Sequence, residues 1–305
     1  MPDYGQPLQF GLSVTPATAD IDQIAALVDV ADTTNLDLVA IQDHAYNPDF
    51  LDTWTLIAFL AARTDRVRFF SDVADLALRP PAMMAKAAAS LDRLSGGRVE
   101  LGLGAGAFWD RIAAMGGPGR TPAEAVEATA EAIQVIRLAW ETGGPVSFEG
   151  RHYHLRGHQP GPGPAHPMGI WLGAVKPRML GLTGRLADGW VSPLNIYLTP
   201  EQIPAAHATI DAGALSAGRA PAAIRRIYNV VGTVGDGPRA RSGLNGSVDH
   251  WVDTLTRWAT GLGLDTFIFW PATPSSEQVE RFAREVVPRV REQVAARRER
   301  AGSRL

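Results

Sequence analysis

The chain has no cysteine among its 305 residues, which removes disulfides, thiolate nucleophiles and cysteine metal sites from consideration. It also lacks an apolar run long enough to cross a bilayer. The most apolar stretches, such as Asp52 to Ala62, fall well short of the roughly 20 residues a spanning helix needs. Charge of neither sign dominates: a formal net charge of −3 gives no long-range attraction to nucleic acid or to an anionic membrane surface. Neither is expected as a partner, which leaves a small-molecule substrate. Met1 to Phe10 show no basic stretch followed by an apolar one, so no secretory signal is expected and the default compartment is the cytoplasm. No nucleophile elbow, P-loop or HExxH pair occurs.

What is present is a globular composition, 46% hydrophobic and 20% charged, at a length normal for one (β/α) barrel with small insertions. Strand-like and helix-like segments alternate. Leu8–Val14, Leu38–Ile41, Val67–Val73 and Val99–Leu103 read as strands, separated by helical spacing over Ile21–Thr33, Asp52–Arg63 and Pro81–Leu94. Asp20 is placed to cap the first helix, and Pro81 sits in the first turn of the third, where its missing N–H costs nothing. A long helix over Thr121–Trp140 opens with a Thr121/Glu124 capping box.

The rhythm then breaks. Gly143–Leu155 alternates apolar and polar residues around Glu149-Gly150, the pattern of a β-hairpin, and a Gly/Pro-rich loop over Gly157–Pro167 follows. The alternation resumes with strands at Ile170–Gly173, Gly189–Val191, Ile224–Thr233 and Thr266–Trp270. Helices are predicted at Pro177–Ala187, Glu201–Leu215, Ser247–Thr260 and Glu277–Arg297, and the charged tail from Arg297 to Leu305 is expected to fray. Eight βα units favour a single α/β domain over residues 1–305, a (β/α)8 TIM barrel with an insertion at about 143–167 after the fourth long helix. An open doubly wound sheet is the alternative, because closure does not show in sequence.

A barrel directs attention to the loops at the C-terminal ends of its strands. These are Thr15-Pro16, Gln42-Asp43-His44, Ser71 to Asp75, Gly104 to Asp110, Gly173 to Lys176, Ser192 to Tyr197, Gly235 to Gly237 and Pro271 to Ser276. Two of them are runs of small residues entering a helix, where free N–H groups suit a phosphate. Taken alone, each signal also has a plainer reading. His44 would serve equally to hold a loop carbonyl, Asp43 to shape a turn, Gly102 to Gly106 to let strands pack closely, and Gly173 to Lys176 to make an ordinary turn. Gly102-x-Gly104-x-x-Ala107 imitates a dinucleotide fingerprint, but the acidic residue expected about 20 positions on falls inside a helix. His152-x-His154 puts two imidazoles on one hairpin face with no carboxylate cluster in sequence; a solvated face is the better reading than metal.

Several segments, in order, carry a family resemblance. Asp43-His44, Leu51-Asp52-Thr53-Trp54, the stretch Leu91 to Arg98 (LDRLSGGR), Gly102-Leu103-Gly104-Ala105-Gly106, and Gly173 to Gly189 together resemble the luciferase-like flavin- and deazaflavin-dependent oxidoreductases. The resemblance runs over nearly the whole chain. It implies a barrel holding the cofactor across its mouth, with a non-proline cis peptide near Ser71-Asp72 or Asp72-Val73. It implies cofactor contacts from Ser71, Asp72, Val73, Gly104, Ala105, Gly106 and Asp110. The phosphate would lie on Gly173, Ala174, Val175 and Lys176, with a charge-assisted contact from Lys176. Asp43 and His44 would stand at the reactive edge, His44 handling a proton. The cofactor implied is the deazaflavin coenzyme F-420 (also written F420), which carries hydride, with FMN and a monooxygenase activity as the alternative. Where sugar-phosphate dehydrogenases of the deazaflavin branch carry a glutamate, this chain has Ala107 beside Phe108 and Trp109, which favours a flat or apolar substrate. The resemblance further implies a homodimer. Two other classes stay open: a metal-dependent barrel hydrolase, for which only Asp43-His44 and Asp72 offer ligands, and a non-catalytic flavin-binding barrel.

Overall fold

Each short apolar run becomes one stave of a closed parallel barrel in the computed structural model, which describes residues 3–141 and 143–302. The first half runs β1 (Gln9–Val14), α1 (Ile21–Thr33), β2 (Leu38–Ile41), α2 (Thr53–Ala61), β3 (Arg68–Ser71), β4 (Ala74–Asp75), α3 (Pro81–Ser95), β5 (Val99–Gly104), α4 (Trp109–Ala114) and α5 (Pro122–Trp140). A two-stranded antiparallel hairpin, β6 (Val146–Glu149) and β7 (His154–His158), follows. The second half runs β8 (Ile170–Gly173), α6 (Pro177–Leu186), β9 (Gly189–Leu194), α7 (Ile203–Ser216), β10 (Arg225–Val234), β11 (Leu244–Gly246), α8 (Val248–Arg257), β12 (Thr266–Pro271), α9 (Ser276–Arg281) and α10 (Val287–Gly302).

Closure is visible in the pairing. The order β1-β2-β3-β5-β8-β9-β10-β12 returns to β1, with Arg225 opposite Gly189 across β9–β10 and Gln9 opposite Thr266 across β12–β1. The strands are parallel throughout, and the open sheet is excluded. Leu38, Ala40, Phe70, Trp171, Val191, Ile227 and Ile268 fill the barrel's interior. A larger shell of Leu, Ile, Val, Phe and Ala side chains packs the helices against its outside. Each large apolar side chain so buried contributes roughly 1.5–3 kcal/mol relative to exposure.

Local differences from the sequence reading have local causes. Asp20 occupies the N-cap position of α1, yet its carboxylate caps nothing because a 3-10 turn over Thr18–Asp20 leads into the helix. The Thr121/Glu124 capping box forms as read. The third strand ends at Ser71; a non-proline cis bond joins Asp72 to Val73, and the chain then resumes pairing, as β4, along β5. The six-residue α4 and three-residue β11 are too short to leave a periodic signal. From Arg297 to Gly302 the tail does not fray but continues α10; its last three residues lie outside the described residues.

The LDRLSGGR stretch lies at the barrel's N-terminal end. It stops α3 with two glycines at positive φ, Gly96 (73°) and Gly97 (89°). The buried Asp92 carboxylate accepts from the N–H groups of Val99, Ala165 and His166, and Arg98 donates to the carbonyls of Ala61, Thr64, Val67 and Ser95. This stretch is therefore a structural knot that ties α2, β3 and the long loop together, far from the barrel's mouth.

Candidate active site

At the mouth lies a cavity of about 530 Å³, within the range of cofactor and ligand pockets. It collects residues from seven of the barrel's strand ends: Gln42 to His44 after β2, Asp72 and Val73 after β3, Gly104 to Ala107 after β5, Gly173 to Lys176 after β8, Val191 to Leu194 on β9, and Asn229 and Trp270 on β10 and β12. Of the residues marked in sequence, Asp43, His44, Asp72, Val73, Gly104, Ala105, Gly106, Gly173, Ala174, Val175 and Lys176 are thus brought together. Two are not. Ser71 is fully buried behind the lining and donates its hydroxyl to the Gly102 carbonyl at 2.7 Å. Asp110 is exposed on α4 outside the lining.

Asp43 sits on the wall as a brace. Its Oδ2 accepts from Arg79 Nε at 3.2 Å and from the Asp75 N–H at 3.0 Å, and its Oδ1 accepts from Arg79 Nη2 at 3.3 Å. Arg79 also grips Asp52, whose carboxylate caps α2 by accepting from the Thr55 N–H. One guanidinium therefore locks the loop after β2 to the helix that follows it. Both Asp43 oxygens are engaged, and its side chain is 0% exposed.

His44 stands free of such a lock. Its Nδ1 lies 2.6 Å from the Tyr46 hydroxyl. Burial pulls the imidazole below its ordinary value, Asp43 opposes this, and Arg111 adds to it; the ring is neutral at pH 7. Burial pushes the Tyr46 phenol up to about 12, so it keeps its proton and can donate it to Nδ1. Around this pair, Phe50 and Phe108 set their rings 6.4 and 5.9 Å from the imidazole. The Arg111 guanidinium faces the rings of Tyr46 and Phe108. The lip of the cavity is thus aromatic, and Phe108, Val175 and Tyr197 are exposed there.

Small residues make room rather than flexibility. A Cβ on Gly102 would lie 1.8 Å from the Ser71 carbonyl oxygen, so this glycine serves strand packing. Cβ atoms on Gly104 and Gly173 would fall 2.7 and 2.8 Å from the Val73 side chain. Those two glycines flank and accommodate the bulge that carries Val73. Opposite it, Lys176 is exposed at the N-cap position of α6, with Pro177 at the helix start. The first-turn N–H groups of such a helix have no partner within the helix.

Sequence reading missed Tyr46, Arg79, Asn229 and Trp270. Tyr46 stood two residues from His44 and was the nearest to being found. Asn229 was hidden inside an apolar strand run, its polarity in that run being the only signal. Its Nδ2 donates to the Ser192 carbonyl at 2.8 Å, and its Oδ1 accepts from Trp270 Nε1 at 2.8 Å. The hairpin histidines do not converge: His152 turns to Glu127 and His154 to Glu149. Among the described residues no group of three or more His, Asp or Glu is placed to hold a metal ion, and no helix is long and apolar enough to cross a membrane.

The parallel eight-stranded sheet, closed on itself and flanked by helices, is a (β/α)8 barrel with a glycine-flanked bulge and a histidine at one mouth. Residues 6–302 match the family described as luciferase-like monooxygenase, and the chain belongs to that family. It is 30% identical over 197 residues to an F420-dependent glucose-6-phosphate dehydrogenase from Gordonia bronchialis, covering 61% of this chain and 57% of that one. It is 28% identical over 214 residues to a 5,10-methylenetetrahydromethanopterin reductase from Archaeoglobus fulgidus, covering 70% and 60%. The chain thus spans little more than half the length of these curated relatives. In fold it resembles an F420-dependent secondary alcohol dehydrogenase solved with an F420-acetone adduct. That likeness has a TM-score of 0.83 at 17% identity and covers 93% of this chain and 99% of the other.

Proposed function

We propose that this protein is an oxidoreductase that passes hydride between the deazaflavin coenzyme F-420 and a small, flat or apolar organic substrate. The observation that carries the reading is the convergence, on one cavity, of the Val73 bulge, the helix-entering turn Gly173 to Lys176, and a neutral, half-buried His44. The residues fit such a group: glycines at 104 and 173 admit the Val73 side chain that would back the ring. Backbone N–H groups at the start of α6, with the Lys176 ammonium, would hold its phosphate. When bound, the deazaflavin supplies a two-electron hydride carrier that does not activate oxygen.

The chain's own residues do the rest. Val73 props one side of the ring space. His44, neutral at pH 7, takes a proton from a substrate hydroxyl or returns one to its carbonyl oxygen, and Tyr46 fixes the imidazole through Nδ1. Asp43 positions that loop through Arg79 without touching the reacting atoms. The aromatic lip and Ala107, which lines the cavity beside Phe108, suit an apolar substrate better than a sugar phosphate.

The name of the Gordonia relative favours the deazaflavin, while the family's description favours a monooxygenase. Fluorescence titration of the purified protein with each coenzyme separates them. Micromolar binding of coenzyme F-420 and none of FMN is expected; the reverse would move the protein to the monooxygenase reading.

A further inference from the structure

Asp72 is the one cavity-lining carboxyl group whose hydrogen bonding is incomplete among the described residues. Its Oδ2 is sealed from solvent and has no partner. Its Oδ1 is reached only by Asn229 Nδ2, at 3.5 Å, the limit of a hydrogen bond. That amide cannot swing closer, being fixed by the Ser192 carbonyl on one side and Trp270 Nε1 on the other. The backbone N–H of Asp72 donates to the Ile41 carbonyl at 2.7 Å, which holds the residue against β2.

Other titratable groups face the same space: Asp43, His44 and Tyr46 from the loop after β2, Asp75 from β4, Lys176 before α6, and Tyr197 after β9. None forms a hydrogen bond or ion pair with Asp72. Asp43 is satisfied by Arg79 and the Asp75 N–H, Asp75 accepts from the Ala77 N–H, and His44 pairs with Tyr46. Asn229, which meets Asp72 from β10, and Trp270, which holds Asn229 from β12, carry no charge. An ionised carboxylate without cation or donors is the costliest occupant of such a site, and a protonated one the cheapest. Consistent with this, burial pushes the Asp72 carboxyl up to about 7, with Asn229 pulling weakly the other way.

We propose that Asp72 faces the cavity as a neutral carboxylic acid and donates its O–H as a hydrogen bond to an acceptor atom of the bound cofactor ring, the weakly held carboxyl rotating about Cβ–Cγ to bring that hydrogen out of its sealed position. This rests on the reading above, that a flavin-like ring occupies the cavity. It makes Asp72 a cofactor-recognition residue, separate from the proton-handling His44. The hydrogen bond supports negative charge arriving on the ring, and no proton need leave the carboxyl. Ionising Asp72 removes the donor and sets a negative charge against the ring.

The test is the pH dependence of ring binding by the whole protein and by Asp72→Asn, whose amide keeps a donor and never ionises. Affinity for coenzyme F-420 and for FMN is measured by fluorescence between about pH 7 and 9. For the wild type it is expected to fall toward tenfold per pH unit once the carboxyl ionises; for Asp72→Asn it stays flat. Equal slopes in the two proteins overturn the inference and leave the proposed function standing. Failure of the wild type to bind either ring at any pH overturns both. Should the variant not fold, infrared spectra of the wild type decide. A protonated-carboxyl carbonyl band that shifts when the ring binds is expected, and a band unmoved by ring binding overturns the assignment.

Discussion

At the scale of single residues, the mouth of the barrel divides its acids and bases by environment. Asp43 is held between an arginine and a backbone donor. His44 is kept neutral by burial, with an uncharged phenol as its only side-chain hydrogen-bond partner among the described residues. Replacing His44 by Ala should lower turnover about 10²-fold while leaving coenzyme affinity nearly intact; unchanged turnover would remove the imidazole from the mechanism. Because the folded imidazole titrates below its ordinary value, its base form persists to lower pH. The acidic limb of kcat/KM for alcohol oxidation should therefore fall below pH 6.5, and it should vanish in the variant. These roles were half legible beforehand. Asp43 and His44 are adjacent letters on a loop, but that one is clamped and the other free depends on Arg79. That residue lies 36 positions away, and no local pattern links it to Asp43.

At the scale of elements, strands and long helices could be read because one face of each is buried at a fixed period. What escaped reading was short, α4 and β11; the cis bond between Asp72 and Val73 lies where the family resemblance implied it, though no periodicity signals it. The glycine loop after β5 shows why motif and mechanism separate. Gly102, Gly104 and Gly106 look alike in sequence. Yet the first admits the Ser71 carbonyl, the second admits Val73, and only the third has a positive φ, 93°. Gly102→Ala should therefore destabilise the fold by about 3 kcal/mol or more, since backbone must move to admit one methyl group. Gly119→Ala, with nothing within 4 Å of the new Cβ, should be close to neutral. Thermal unfolding of the two variants side by side checks this, and similar midpoints would contradict the packing role.

At the scale of the whole molecule, the two ends of the barrel do different work. The N-terminal end holds the Asp92 and Arg98 knot, where LDRLSGGR carries the family likeness into stability. The C-terminal end holds the cavity, built from loops that share little beyond small residues and a few polar groups. Part of the family likeness was thus readable from a stretch that lies far from the site. The site had to be assembled from strand ends that only closure brings together. The most direct measurement is a crystal structure of the protein soaked with coenzyme F-420. The phosphate should lie on the turn Gly173 to Lys176, with the ring against Val73 and one face open toward His44. An empty cavity, or one plugged by its own side chains with the coenzyme bound elsewhere, would contradict the proposed activity.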